Sequence, residues 1–219
     1  MEFVLIPAGE FQMGSNGDDR EKPVHKVKIS KPFYLCKYPV TQKEWIAVMG
    51  SNPSNLEGDN NPVESVSWDD VQEFVKKLNA TEGTDKYRLP SEAKWEYACR
   101  ADTTTKYSFG DDEAKLGEYA WYDKNSGKKT QPVGQKKPNP WGLYDMHGNV
   151  WEWVQDNWHH SYKGAPADGS VWENESSSRR VLRGGSWCNV AGGCRSAVRG
   201  SGVPVNRYYD LGFRLLRAV

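Results

Sequence analysis

Four cysteines and four histidines carry most of the reactive chemistry open to this 219-residue chain. Cys188 and Cys194 stand close together in the stretch "RGGSWCNVAGGCRSAVRGSGVPVNRYYDLGFRLL", which runs from Arg183 to Leu216. Two thiolates near one another suit a soft metal such as copper(I), and that is one reading of the pair. The competing reading is that they are incidental letters in a surface whose side chains vary. Cys36 and Cys99 fall inside a strand pattern and a helix pattern, where a free cysteine behaves as a small buried hydrophobe. His25, His147, His159 and His160 have no metal-ligand spacing, and the adjacent His159 and His160 sit in a polar stretch, the setting of a solvated pair. Four cysteines so irregularly placed do not make a disulfide scaffold in a chain of this length.

The elements that must position these residues are legible from pattern. "FVLIPAGEFQMGS" and "HKVKISKPFYLCKYPVT" alternate as two strands joined by a polar loop. Thr41 with Glu44, and Ser67 with Asp70, form capping-box pairs that open two helices. The first runs to Gly50 with Trp45, Ile46 and Met49 inward, and the second to about Ala80 with Val71, Phe74, Val75 and Leu78 inward. In "YRLPSEAKWEYACR", Ser91 caps a third helix with Ala93, Tyr97 and Ala98 as its buried stripe. Residues 101–140 read as irregular chain, and "GNVWEWVQD", "RRVLRGGSW" and "LGFRLLRAV" as strands, with the alternating tryptophans in the core. Ten Trp and eleven Tyr against a hydrophobic fraction of 37% call for a core of large amphipathic rings in one loop-rich domain over residues 1–219. Lys+Arg and Asp+Glu both number 29, a balance that draws the chain neither to nucleic acid nor to an anionic membrane. No run approaches the roughly 20 apolar residues of a membrane span and no export signal opens the chain. The expectation is a soluble protein, cytoplasmic as synthesised, with display on a cell or virus surface left open.

The segments "IPAGEFQMGS", "YPVTQKEW", "PVESVSWDDV", "YRLPSEAKWEYACR", "NPWGLYDMHGNVWEWVQDNW", "RVLRGGSW" and "DLGFRLL" resemble, in order, the signatures of the formylglycine-generating-enzyme (sulfatase-modifying factor) domain family. The resemblance implies an α+β variant of the C-type lectin fold, with a small twisted antiparallel sheet, a few short helices and much irregular loop. In the formylglycine-generating enzymes "RGGS" precedes two cysteines with four residues between them, whose thiolates hold copper(I) and the substrate thiol. Carried over, this makes Ser186, Cys188 and Cys194 the catalytic residues of a copper-dependent oxidase acting on a cysteine of a protein substrate. Here five residues lie between the cysteines. Cys194 also precedes "RSA", where non-catalytic relatives carry a packed thiol. An iron-dependent sulfoxide synthase would need a histidine triad that the four histidines do not form.

Another branch of the family resembles the chain more fully at its end: the variable proteins of diversity-generating retroelements. In these, a segment opening at "GGSW" and closing at "GFR" is rewritten at adenines, largely in AAC codons. Such rewriting yields Gly, Ser, Asp, Tyr, Val, Cys and Ala, among others, but never Lys, Glu, Gln, Met or Trp. Residues 188–210 obey that limit. The resemblance assigns Cys188, Asn189, Val190, Gly193, Val198, Gly200, Gly202, Tyr208 and Tyr209 as variable ligand-binding positions, with Gly192, Ser201, Val203 and Asp210 as further candidates. Gly185, Ser186, Trp187, Arg195, Ala197, Arg199, Arg207, Gly212, Phe213 and Arg214 are then the frame, with the arginines holding loop carbonyls. The reading is a non-catalytic protein that needs no cofactor and meets a protein or other macromolecular ligand on this face. "GNVWEW" further resembles a family calcium site, with Asn149, Val150 and Glu152 as oxygen ligands. The alternative is that Asn149 caps a turn and Glu152 pairs with a buried arginine.

Overall fold

The computed structural model describes residues 1–174 and 176–219. The two expected N-terminal strands each break in two, giving β1 (Phe3–Ile6), β2 (Gly9–Met13), β3 (His25–Ile29) and β4 (Phe33–Cys36). The breaks fall at Pro7 and Pro32, where the chain has no N–H to give a ladder. β2 pairs with β3, Phe11 opposite Val27, while β1 pairs with β4, Val4 opposite Leu35. The two halves of the hairpin thus enter different sheets.

Helix α1 (Gln42–Met49) carries the Thr41–Glu44 capping box and stops at Gly50, at φ 85°. Helix α2 (Trp68–Glu82) carries the Ser67–Asp70 box and stops at Gly83. On α1 the inward positions belong to Trp45 and Gln42, whose amide donates to the Leu56 and Pro62 carbonyls. Ile46, expected inward, is 37% exposed because the stripe turns past it after one residue. After β5 (Tyr87–Arg88) come α3 (Glu92–Arg100) and the single turn α4 (Leu116–Tyr119), set in a long irregular stretch.

The remaining strands are β6 (Trp151–Asn157), β7 (Arg180–Arg183), β8 (Arg199–Gly202), β9 (Leu211–Phe213) and β10 (Leu216–Arg217). They form a sheet in the order β8-β7-β6-β9, while β10 leaves it to enter the N-terminal sheet, ordered β1-β4-β10-β5. Against the expectation of purely antiparallel pairing, β6 and β9 run parallel, Trp151 opposite Leu211. Trp153 is fully buried on β6, so the alternating tryptophans serve the core. Around it the rings of Trp45 and Phe74 stack at 5.1 Å, and Phe213 meets Phe74 edge-on at 5.4 Å.

Helix α3 is buried at every residue but Lys94. The expected stripe of Ala93, Tyr97 and Ala98 is inside, but so are Glu92, Glu96 and Arg100. Arg199 reaches Glu92 through two nitrogens at 2.6 and 2.8 Å. Arg183 bridges both acids, at 3.0 Å to Glu92 and 2.5 Å to Glu96, and Arg100 completes Glu96 at 2.8 Å. Tyr162 donates its hydroxyl to Glu92 at 3.0 Å, and its ring lies 4.1 Å under Arg199. Burial pushes both carboxyls up, but the arginines outweigh it and hold them below the usual range. A group with a lowered pKa in the folded state contributes stability above its unfolded value and loses it as pH falls. Glu96→Gln leaves Arg183 and Arg100 short of a charge partner inside the protein. It is expected to cost about 3–5 kcal/mol in urea unfolding at pH 7, and a cost below 1 kcal/mol would remove the network from its structural role.

Candidate functional site

Between Trp187 and Asp210 the chain has only β8 and one 3-10 turn at Ala191–Cys194. Its main chain is nonetheless held along most of its length by residues outside it. Ser126 donates to the Trp187 carbonyl at 2.9 Å, the Asp123 N–H to Asn189 at 3.1 Å, and the Tyr107 hydroxyl to Ala191 at 2.9 Å. Arg183, while paired to α3, also donates to the Ser196 and Ala197 carbonyls at 2.6 and 3.3 Å. Further on, the N–H groups of Trp68, Ser65 and Trp151 reach the carbonyls of Pro204, Tyr208 and Asp210. Every one of these bonds ends on a backbone oxygen, so the held residue's own side chain takes no part. A loop fixed this way keeps its path while its side chains change.

His147 is the most constrained anchor. Its Nδ1 meets the Cys194 carbonyl at 2.9 Å, which accepts, so Nδ1 carries the proton. Its Nε2 accepts from the Ser108 N–H at 3.1 Å, so it is bare. Burial lowers the imidazole pKa to about 4, keeping the ring neutral. Spacing gave His147 no role, because its partners lie at positions 108 and 194.

The segment's side chains divide by exposure. Val190 is 66% exposed, Tyr209 53% and Tyr208 42%, and Cys188 is exposed with them. Val205, outside the expected set, is 63% exposed and obeys the same codon limit. Asn189, Gly193, Val198 and Gly200 are half-buried. Asn189 turns into the frame, its Oδ1 accepting from Ser186 N and Oγ at 2.9 and 2.8 Å. Ser186 Oγ, whose single proton can go to either acceptor, lies 2.9 Å from Asp210 as well, and the Trp187 and Tyr209 rings lie 5.7 Å apart, which brings the 186–190 turn against 208–210. A Cβ on Gly200 would make ordinary contact with Leu182 and Trp151, and one on Gly193 would press on Asn189 at 3.2 Å. Gly202 is corrected: it is buried, and a Cβ there would sit 2.5 Å from the Trp153 ring, so it belongs to the frame.

The two cysteines have unlike surroundings. Cys194 is buried among Tyr107, Leu116, Ala120, Tyr122 and Ala191, and burial pushes its thiol up to about 12. The Cys188 thiol lies 3.3 Å from Ser186 Oγ and 3.4 Å from Asp210, and partial burial with that carboxylate raises its pKa too. Neither setting favours the thiolate that copper(I) requires. Cys36 and Cys99 are buried, with thiols likewise pushed up to about 12 by burial.

The calcium expectation does not fit the residues. Both Glu152 oxygens bind Arg214, at 2.7 and 2.8 Å, and one also accepts from Trp95 Nε1 at 2.7 Å. Asn149 spends its amide on the Gln131 backbone, at 3.0 and 2.9 Å, and Val150 is buried beside it. A second cation against the Arg214 guanidinium would be repelled, and the ion would find too few free oxygens. His159 is not free in solvent as expected, since its ring stacks on Trp172 at 3.5 Å.

Small sheets, short helices and a long carbonyl-held loop define an α+β domain of the C-type lectin-like, formylglycine-generating-enzyme type. The chain belongs to the sulfatase-modifying factor enzyme 1-like domain family, whose model matches residues 1–219. It is similar to Treponema denticola variable protein 1, with a TM-score of 0.93 and 34% identity over 99% of this chain and 95% of that one. It is similar also to PvdO from Pseudomonas aeruginosa, at a TM-score of 0.90 and 34% identity over 99% and 94% of the two chains. The formylglycine-generating enzyme of Mus musculus is 32% identical over 87% of this chain and 52% of its own length. The family thus includes enzymes, and membership alone assigns no activity. Among the described residues, no helix is long and apolar enough to cross a membrane.

Val190→Ser, Tyr208→Ser and Tyr209→Ser are each expected to change unfolding free energy by under about 1 kcal/mol. Gly202→Tyr should cost about 3 kcal/mol or more, since Trp153 cannot move aside; equal effects in chemical denaturation would refute the division into face and frame. For His147 the pKa falls from 6.5 to about 4, so between those values the unfolded chain binds a proton that the folded chain excludes, and stability drops as pH falls. His147→Gln removes that penalty. Its stability deficit against the parent should narrow by about 2–3 kcal/mol between pH 6.5 and pH 4, and a constant deficit would contradict a neutral anchor.

Proposed function

We propose that this chain is a non-catalytic ligand-binding protein whose surface within Arg183–Leu216 is rewritten by a diversity-generating retroelement. The observation that carries the proposal is the main chain held by its carbonyls, a set of bonds in which the exposed side chains of Cys188, Val190, Val205, Tyr208 and Tyr209 take no part. The likeness to a protein named as variable, and the codon-limited alphabet of residues 188–210, support the same reading. The face is short of free charge, because Arg207 is bound by Asp70 at 2.7 Å through two nitrogens and Arg195 by Glu21. Tyr208 and Tyr209 offer large contact area at low entropic cost. A protein or other macromolecular ligand fits this face better than a polyanion does.

The second reading, a copper-dependent oxidase using Cys188, Cys194 and Ser186, is favoured by the 32% identity to the mouse enzyme and by the exposure of Cys188. Two experiments separate them. DNA downstream of the gene is expected to hold a near-copy of the segment, differing at adenines, beside a reverse transcriptase gene; absence of both would sink the diversification reading. Copper(I) titration is expected to show no tight one-equivalent site. Tight binding that disappears in Cys188→Ala and Cys194→Ala, together with oxidation of a cysteine peptide by the parent alone, would install the oxidase instead.

A further inference from the structure

Away from the Arg183–Leu216 segment, a cleft of 510 Å³ opens between the β3–β4 turn, β5, the first turn of α3 and the end of the chain. Three cations line it: Lys31, Arg88 and Lys94. Its apolar wall is Ile29, Pro32 and Phe33, and its one acidic side chain is Asp168, which accepts from the Ser170 N–H at 2.9 Å. Among the described residues, no carboxylate, the C-terminal one included, lies within 4.0 Å of any of the three cationic groups. The buried arginines elsewhere in this chain are all paired with acids.

Lys94 is the least comfortable of the three. It is half-buried, among the described residues no acceptor lies within hydrogen-bond distance of its ammonium, the Phe33 ring lies 5.9 Å from it, and Asp156 and Asp168 act on it only from beyond ion-pair distance. It sits at the third position of α3, in the first turn, where the helix dipole opposes a positive charge. Burial, with Arg88 as a second cause, holds its pKa below the ordinary value. The first N–H groups of α3 are already taken by Asp156 and Ser91, so the gain from an anion in the cleft lies at the side chains: it would accept from the ammonium and screen it from Arg88. We infer that the cleft binds the phosphate group of a small phosphate monoester, with Lys94 and Arg88 on its oxygens and the ester's apolar body against the exposed Pro32. This site is independent of the variable-face reading, since none of its lining residues belongs to that segment.

Calorimetric titration at constant ionic strength, with inorganic phosphate and with phenyl phosphate as probes, tests this on the full chain. Saturable binding is expected, with a dissociation constant of about 1 mM for phosphate and at least about fivefold tighter for phenyl phosphate, whose ring is buried on the apolar wall. Lys94→Gln should weaken both by about tenfold or more while leaving the thermal midpoint unchanged or higher, because it removes an uncompensated charge. Arg88→Gln should weaken both as well, and it provides the same test should the first variant fail to fold. No saturable heat, or undiminished binding in a folded Lys94→Gln or Arg88→Gln protein, would overturn the site. Equal affinity for the two probes would overturn the monoester assignment.

Discussion

Burying Glu92 and Glu96 without neutralising them would cost several kcal/mol apiece, and the fold avoids this by bringing Arg183, Arg199 and Arg100 to the same helix. Much of the architecture follows from that requirement. Arg183 is on β7 and Arg199 on β8, directly opposite each other in the ladder, so α3 must lie across these strands for both guanidiniums to reach it. The same two arginines hold backbone oxygens on either side, Arg183 those of Ser196 and Ala197, Arg199 those of Arg20 and His159. One ionic cluster therefore fixes the central helix, the edge of the sheet and the start of the exposed loop.

The exposed face is rigid for reasons that lie beneath it. Tyr107, Ser126 and His147 come from the long irregular stretch between α3 and β6, which looks like filler and works as a socket. That stretch is tied by turns and side-chain bonds of its own, as at Asn125 and Asn139, while Tyr107, Ser126 and His147 reach across to the exposed segment. Gly202 contrasts with Gly200 on the same face of β8: a Cβ on Gly200 would make ordinary contact with Leu182 and Trp151, while one on Gly202 would meet the buried Trp153 ring at 2.5 Å.

What is legible in the sequence is what is local. The Thr41–Glu44 and Ser67–Asp70 boxes close within three residues, so the helix starts can be read directly and stand as read. Glu92 and Glu96 cannot be read the same way, because acids four apart on a helix look like a solvated stripe, and their partners Arg183 and Arg199 are nearly half the chain away. The same holds for Glu152, for which the salt-bridge alternative is right, since it is Arg214 that selects it over a calcium ligand role. At the face, the alphabet of residues 188–210 selects a segment that carries the exposed Cys188, Val190, Tyr208 and Tyr209, and Val205 satisfies it as well as the assigned positions do. Which of those positions have room for a side chain depends on what lies beneath each, Trp151 under Gly200 and Trp153 under Gly202, information that no codon pattern contains.

The placement of β10 also has a bearing on synthesis. This strand lies between β4 and β5, so the N-terminal sheet lacks an inner member until residues 216–217 are made. Arg214, which ties Glu152 to the carbonyl of Cys36, arrives equally late. Any copying error that introduced a stop or shifted the frame between Cys188 and Asp210 would yield a chain with its first sheet split and Glu152 uncompensated. The fold therefore depends on the segment between Cys188 and Asp210 keeping its reading frame, because Arg214 and β10 lie beyond it.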